Sequence, residues 1–217
     1  MGNDSGGGGR FRGIRWSCNW DADPIIGNGR AATPDAYRTP AFEAGFKRLN
    51  ALGLSFDAWV FHSQLDQVIH LARRFPDANI VMGHIGGVLG YGPYAGHSDE
   101  IFAAWRQSMK ALADCRNVSV KLGGMAMRLA AIDYGKMVRP PTSEEVASAW
   151  RPYFDVCIDL FGVERCMFES NFPVEKMLCS YRTLWNAFKH IVAGASAAEK
   201  HALFSGTASR VYRLGLE

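Results

Sequence analysis

Five short apolar runs, each followed by a segment with helical periodicity, constrain the fold of this chain more than any other feature. The runs cover residues 11–16, 55–61, 79–82, 118–122 and 165–168, and each is nearly continuous in apolar residues. Strands this short and apolar are typical of a parallel sheet that is covered on both faces. The alternation therefore predicts βα units on a parallel sheet, which is an α/β fold.

The intervening segments predict helices. Apolar residues recur at helical spacing over 41–52, 64–75 and 99–114. Two capping boxes, Thr142–Glu145 and Ser196–Glu199, predict a helix that runs towards Phe161 and a last helix over 197–212. Pro152 is expected to kink the first of these helices or to divide it in two.

Composition narrows the classes of function. The 217 residues are 48% hydrophobic and carry a net charge of only +3, without the basic stripe of a nucleic-acid-binding protein. No apolar run approaches the roughly 18 residues that span a bilayer. We interpret residues 1–9 as a flexible Gly-rich tail and residues 10–217 as one domain. Five cysteines without a C-x-x-C spacing predict reduced, buried thiols and a cytoplasmic location.

Polar side chains follow the predicted strands. They are Arg15, His62, His84, Lys121 and the Glu169–Asn171 segment. The carboxyl ends of parallel strands lie on one side of a sheet, so these groups are expected to converge on one surface, where α/β folds build their sites. Each also has a structural explanation, since a histidine after a strand can serve as a hydrogen-bonded core residue and a lysine can extend from a strand end.

The glycine-rich stretch 83–96 contains a formal G-x-G-x-x-A pattern at Gly90–Ala95. A dinucleotide fingerprint belongs at the turn from strand to helix, whereas this one begins about seven residues later and includes Pro93. We therefore predict a loop over the site and no dinucleotide cofactor.

Three segments resemble a known family. IVMGHIGG (80–87), NVSVKLGG (117–124) and RCMFESNFPVEK (165–176) are similar to the amidohydrolase-related proteins of the metal-dependent hydrolase superfamily, in the branch that contains lactone hydrolases. The resemblance implies a (β/α)₈ TIM-barrel fold, and the five strands would be its fourth to eighth. Such proteins begin with a His-x-His strand, which this chain lacks, and a whole barrel has about 250 residues. The resemblance thus implies an incomplete, N-terminally truncated barrel.

The resemblance also implies roles for individual residues. His84 matches a histidine that binds metal or contacts substrate, and His62 matches a second candidate metal ligand. Asn171 stands where relatives have the aspartate that acts as general base, so Glu169, or Glu175 in the following loop, is expected to supply the carboxylate.

Substrate binding is assigned to four residues. Arg15 and Lys121 are expected to hold the anionic groups of the substrate, with His62 and Gln64 as further contacts. A divalent metal, zinc first, and no metal at all are equally compatible with two histidines, because catalytic zinc usually has three protein ligands.

The function expected from these features is hydrolysis of a lactone, cyclic ester or amide bond in a small carboxylated molecule. One alternative is a metal-dependent decarboxylase of the same superfamily. The other is an inactive barrel remnant or interaction fragment, since the His-x-His strand is absent. Bare edges at the strands 11–16 and 165–170 predict self-association. No nucleic-acid or membrane partner is expected.

Overall fold

The computed structural model describes residues 10–29, 33–126 and 138–215. The tail predicted for residues 1–9 lies outside these ranges. The strands are β1 Gly13–Ser17, β2 Ser55–Trp59, β3 Ile80–Met82, β4 Val118–Leu122 and β5 Cys166–Phe168. The helices are α1 Pro40–Ala51, α2 Leu65–Arg74, α3 Ser98–Ala113, α4 Ser143–Phe161, α5 Tyr181–Ile191, α6 Ala197–His201 and α7 Thr207–Tyr212.

The five strands form one parallel sheet in the order β1-β2-β3-β4-β5. All five predicted strands are confirmed, with boundaries shifted by at most two residues. A parallel sheet in which each strand lies next to the one that follows it in the chain is the arrangement found in a βα barrel. The predicted α/β class and the parallel sheet are therefore both correct.

The two faces of the sheet differ because side chains alternate along each strand. One face carries residues such as Phe56, Met82 and Phe168, which are buried in the main hydrophobic core with the helices. The opposite face carries Arg15, Asp57 and Lys121. A sheet with one apolar face and one charged face buries its core on the helical side and presents its chemistry on the other.

The capping boxes open helices as predicted. Thr142 accepts a hydrogen bond from the backbone N–H of Glu145 at the start of α4, and Ser196 does the same for Glu199 at the start of α6. Helix α4 runs without interruption through Pro152, so the division expected as one of two outcomes is wrong, and the other outcome, a kink, stays a prediction. The last predicted helix is interrupted by a π-helical segment, Ala202–Gly206, between α6 and α7. Helix α5, which Ser180 caps, was not predicted.

The C-terminal helix α7 covers part of the charged face of the sheet. Val211 packs with Val81 and Met167, and the side-chain amide of Asn79 donates to the Val211 carbonyl at 2.8 Å. Arg213 and Arg12 each donate to the other's backbone carbonyl at 3.0 Å. These contacts anchor the end of the chain beside β1, β3 and β5.

The two edge strands have different surroundings. On β1, Ile14 is 41% and Trp16 is 46% exposed. On β5, Cys166, Met167 and Phe168 are all buried, because the helices and the C-terminal segment cover them. Within the described ranges β5 pairs only with β4, so it is the second edge strand, and the expectation that its outer backbone edge lies bare stays a prediction.

All five cysteines are buried and unpaired, as predicted. Among the helices in the described ranges, none combines the length and the apolar content needed to cross a membrane.

Candidate active site

The polar groups that were predicted at the strand ends do meet. His84 follows β3, Glu169 follows β5, and Arg15 and Lys121 lie in β1 and β4. The backbone N–H of Glu169 donates to the Leu122 carbonyl at 3.1 Å, which extends the ladder between β4 and β5 to the site. The parallel sheet thus brings residues that are up to 154 positions apart into one charged cluster.

A hydrogen-bonded chain joins Arg15, His84 and Glu169. Arg15 Nη2 lies 2.7 Å from His84 Nε2, and Glu169 Oε1 lies 2.5 Å from His84 Nδ1. A guanidinium only donates, so Nε2 must accept with its lone pair and Nδ1 must carry the proton that it donates to the carboxylate. The contacts therefore define a neutral imidazole in a single tautomer.

The backbone around His84 is specialised for this contact. His84 has φ +51°, a left-handed conformation that residues other than glycine rarely adopt, and its N–H donates to Glu169 Oε1 at 3.0 Å. Its side chain is only 2% exposed. The ring also meets Trp59 edge-on at 4.6 Å between ring centroids. His84 is thus held from the backbone and from both ring nitrogens.

Glu169 is held as an anion. Burial raises the pKa of Glu169, but the contacts with His84 and the positive charge of Lys121 outweigh burial, so its pKa is lowered overall. Lys121 Nζ lies 4.0 Å from Glu169 Oε2. An ionised carboxylate behind an imidazole fixes the ring orientation and stabilises the imidazolium when it forms.

Lys121 belongs to a second set of contacts, with Asp57 and Tyr212. Lys121 Nζ lies 2.6 Å from Asp57 Oδ2, and the Tyr212 hydroxyl donates to Asp57 at 2.8 Å. Neither Asp57 nor Tyr212 was predicted as a site residue from the sequence. Asp57 could have been found as the one charge in the apolar run 55–61, whereas Tyr212 is 155 positions from its partner.

Two glycines after β4 let the backbone approach the His84–Glu169 pair closely. A Cβ atom on Gly123 would lie 2.7 Å from Glu169 Cγ, and one on Gly124 would lie 2.2 Å from His84 Nδ1. Gly124 also has φ +73°. Any larger side chain at these positions would displace the imidazole or the carboxylate.

Asn171 and Glu175 form a third pair just beyond β5. Asn171 Nδ2 donates to Glu175 Oε1 at 3.1 Å, and the Ala126 N–H donates to Glu175 Oε2 at 2.9 Å. Burial raises the pKa of Glu175 to about 7 from its usual 4.5, and the nearby charge of Glu169 acts in the same direction.

His62 and Gln64 make their contacts elsewhere. His62 Nδ1 accepts from the Leu89 N–H at 3.3 Å, its ring meets Tyr94 edge-on, and burial lowers its pKa. Gln64 is buried and is bonded to backbone groups of Cys18, Trp20 and Phe61. Its amide thus anchors the segment after β1. Their predicted roles towards substrate gain no support from these contacts.

A family model described as Amidohydrolase matches residues 4–214. The match covers almost the entire chain. The chain belongs to the amidohydrolase family.

Relatives of this amidohydrolase support the same placement. Protein y4mH of Sinorhizobium fredii is 40% identical over 94% of this chain and 61% of its own length. The L-fucono-1,5-lactonase of Burkholderia multivorans is 29% identical over 94% of this chain and 64% of its own length. The chain therefore spans just over three fifths of these relatives.

Two crystal structures of an amidohydrolase from Burkholderia multivorans align with this chain. One has bound HEPES and a TM-score of 0.76 at 26% identity, and the other has bound zinc and a TM-score of 0.74 at 27% identity. Each alignment covers 93% of this chain and 64% of the other. The fold is accordingly of the TIM-barrel type, and the described ranges supply five strands.

The described residues of this amidohydrolase do not fit a zinc centre. Arg15 engages the Nε2 lone pair of His84, and His62 Nδ1 accepts from a backbone N–H. Within the described ranges, no group of three or more His, Cys, Asp or Glu side chains could hold a metal ion. Catalytic zinc usually takes three protein ligands, so the predicted pair of His84 and His62 does not amount to such a site.

Proposed function

We propose that this chain hydrolyses a lactone or a related cyclic ester in a small molecule that carries an anionic group. The observation that carries the proposal is the neutral His84, held between the Glu169 carboxylate and the Arg15 guanidinium. Such an imidazole is a general base whose proton acceptor, Nε2, is masked by a side chain that also binds anions.

Arg15 is the residue that the substrate engages first. It is exposed on the edge strand β1, while the His84 side chain that it covers is nearly inaccessible. A carboxylate is a stronger partner for a guanidinium than a neutral imidazole, because it accepts two charge-assisted hydrogen bonds. Binding of the substrate anion therefore draws Arg15 away from His84 and frees the Nε2 lone pair.

The freed imidazole then activates water. Nε2 takes a proton from the water molecule as its oxygen attacks the ester carbonyl, and Glu169 stabilises the resulting imidazolium. Collapse of the tetrahedral intermediate breaks the ring C–O bond, and the imidazolium returns its proton to the leaving oxygen. The product is an open-chain hydroxy acid. In this mechanism Glu169 orients His84, and His84 takes the role that the sequence suggested for Glu169 itself.

Lys121 supplies positive charge beside the reacting pair. Its ammonium group is held at 2.6 Å from Asp57 and faces Glu169 at 4.0 Å. We assign to it the stabilisation of the negative charge that develops on the carbonyl oxygen, a contribution that grows in a partly buried site.

The class of substrate follows from two features. The relative with 29% identity is an L-fucono-1,5-lactonase, which supports a sugar lactone or similar ring. The exposed guanidinium of Arg15 supports an anionic substituent on that ring. The test is a panel of neutral and carboxylated lactones, starting with L-fucono-1,5-lactone, in which acid release is followed with a pH indicator.

Three variants separate the roles. His84→Asn and Glu169→Gln should each lower kcat about 10²- to 10⁴-fold, the usual range for loss of acid–base catalysis. Arg15→Met should raise KM for carboxylated lactones more than for neutral ones. The matched control is His97→Asn, because His97 is an exposed histidine that directly follows the 83–96 stretch in the sequence. Full activity in His84→Asn would refute the mechanism.

Two outcomes would favour the alternatives. Release of CO₂ from a carboxylated substrate, without ring opening, would identify a decarboxylase. Failure of a folded sample to convert any member of the panel would favour a barrel remnant without activity.

A further inference from the structure

Glu175 is a buried carboxyl group that the proposed reaction does not use. It is fully inaccessible to solvent, and its two oxygens have different partners. Oε1 accepts from the Asn171 side chain and Oε2 accepts from the Ala126 backbone. Burying a carboxyl group is costly unless its oxygens are hydrogen-bonded, so these two contacts are what keep Glu175 in place.

One partner of Glu175, Ala126, belongs to the segment that lies against the reacting pair. This segment, Gly123–Ala126, contains the two glycines whose backbone approaches Glu169 and His84 too closely for any Cβ atom. A displacement of the segment by a few tenths of an ångström would therefore change its contact with the imidazole. Glu175 holds the end of this segment through the Ala126 N–H at 2.9 Å.

The other partner of Glu175, Asn171, lies two residues after Glu169. It has φ +48°, which asparagine tolerates better than most residues, and the Glu175 N–H donates to its carbonyl at 3.3 Å. The side-chain contact adds a second connection between the same two residues. Glu175 is thereby linked to both segments that flank the His84–Glu169 pair, one after β4 and one after β5.

We propose that Glu175 is a positioning residue, whose ionised carboxylate holds the segments after β4 and β5 in the arrangement that aligns His84 and Glu169. Protonation turns one oxygen into a donor, so the carboxyl group can no longer accept from both N–H groups equally well. The alignment then loosens. This inference rests on the proposed hydrolytic role of the pair.

The surroundings of Glu175 place this change in the neutral range. Burial raises the pKa of Glu175, the Asn171 and Ala126 hydrogen bonds lower it, and the charge of Glu169 raises it, so that the pKa is about 7 with all four effects together. Within the described ranges, Cys179 also interacts with Glu175; the pKa of Cys179 is raised to about 11, so its thiol is neutral at pH 7.

The first test follows the backbone amide signals of Ala126 and Gly124 by NMR between pH 5.5 and 8.5, and it does not depend on activity. We expect both signals to shift with one midpoint near pH 7 in the wild type and in Glu199→Gln, an exposed control. Glu175→Gln should remove that midpoint. Asn171→Gly, which suits the positive φ and removes the bond that lowers the pKa, should move it upwards. Asn171→Gly also keeps the test decisive if Glu175→Gln fails to fold.

The second test measures kcat for the best lactone over the same pH range. If the protonated form is misaligned, kcat should fall about tenfold from pH 8 to pH 6, with the midpoint of the Ala126 signal. That midpoint should rise in Asn171→Gly and vanish in Glu175→Gln. The inference is overturned if the pH profile of kcat is the same in the wild type, Asn171→Gly and Glu175→Gln. It is also overturned if the midpoint of the Gly124 amide signal does not depend on Glu175. Absence of turnover in the wild type contradicts only the proposed function, because the amide signals still decide whether Glu175 is coupled to the segment beside His84.

Discussion

The replacement Glu175→Gln should change how the stability of the protein depends on pH. The carboxyl group is fully buried, and its pKa in the folded protein is about 7, against 4.5 when it is solvated. A carboxyl group with a raised pKa stabilises the fold at low pH, where it is neutral in both states. That stability is lost as pH rises through the folded pKa, since the unfolded chain ionises more easily.

The magnitude follows from the shift. A difference of about 2.5 pKa units corresponds to about 3.4 kcal/mol in total at about 1.36 kcal/mol per unit. The linkage relation places about 2.5 kcal/mol of this between pH 5 and pH 8, because part of the change occurs below pH 5. Glutamine does not titrate, so the wild type should lose about 2.5 kcal/mol relative to Glu175→Gln over this interval.

The assay is urea unfolding at pH 5, 6, 7 and 8, followed by tryptophan fluorescence on both proteins. Glu169, whose lowered pKa has the opposite sign, is present in both and contributes little to the difference. Glu199→Gln is the control, because the pKa of this exposed carboxylate is lowered and it stays ionised throughout the interval. A difference between wild type and Glu175→Gln that does not change from pH 5 to pH 8 would refute the reasoning.

Three further substitutions test the packing, the charged contacts and the open edge. Gly124→Ala should cost about 2–4 kcal/mol of stability in urea unfolding, since its Cβ would clash with His84 at a positive φ; a loss below about 1 kcal/mol would mean that the ring can move aside. Tyr212→Phe should cost about 1–2 kcal/mol, because Asp57 loses the donated hydroxyl, and the same unfolding assay would contradict this if stability were unchanged. The wild type should self-associate through the exposed edge β1, and Trp16→Lys should shift sedimentation towards the monomer; a strictly monomeric wild type would exclude this edge as an interface.

The sheet could be predicted from sequence because its information is local. Each strand is a short apolar run, and parallel connectivity follows from the helical segment after it. The convergence of Arg15, His84, Lys121 and Glu169 needed only one further rule, that parallel strands end on the same side. The π-helical interruption at Ala202–Gly206 has no such local signal, because a continuous apolar pattern suits either geometry.

The finer chemistry of the site could not be predicted, since it depends on contacts between distant residues. Nothing in the sequence indicates that Arg15 donates to His84 across 69 positions, or that Tyr212 reaches Asp57 across 155. Glu175 was noted only as a spare carboxylate. Its burial, which raises its pKa, depends on how the segments after β4 and β5 pack together.

The asparagine at position 171 gains a physical explanation from these contacts. An aspartate there would place a second negative charge 3.1 Å from Glu175 Oε1, where the Asn171 amide now donates. Two carboxylates at that separation cannot both be ionised at neutral pH, so one would be protonated. With asparagine, the side-chain amide donates to Glu175 instead, and in the proposed mechanism the imidazole of His84 takes the proton-accepting role. In our proposal, the Glu169–His84–Arg15 chain thus supplies the base that an aspartate at position 171 was expected to provide.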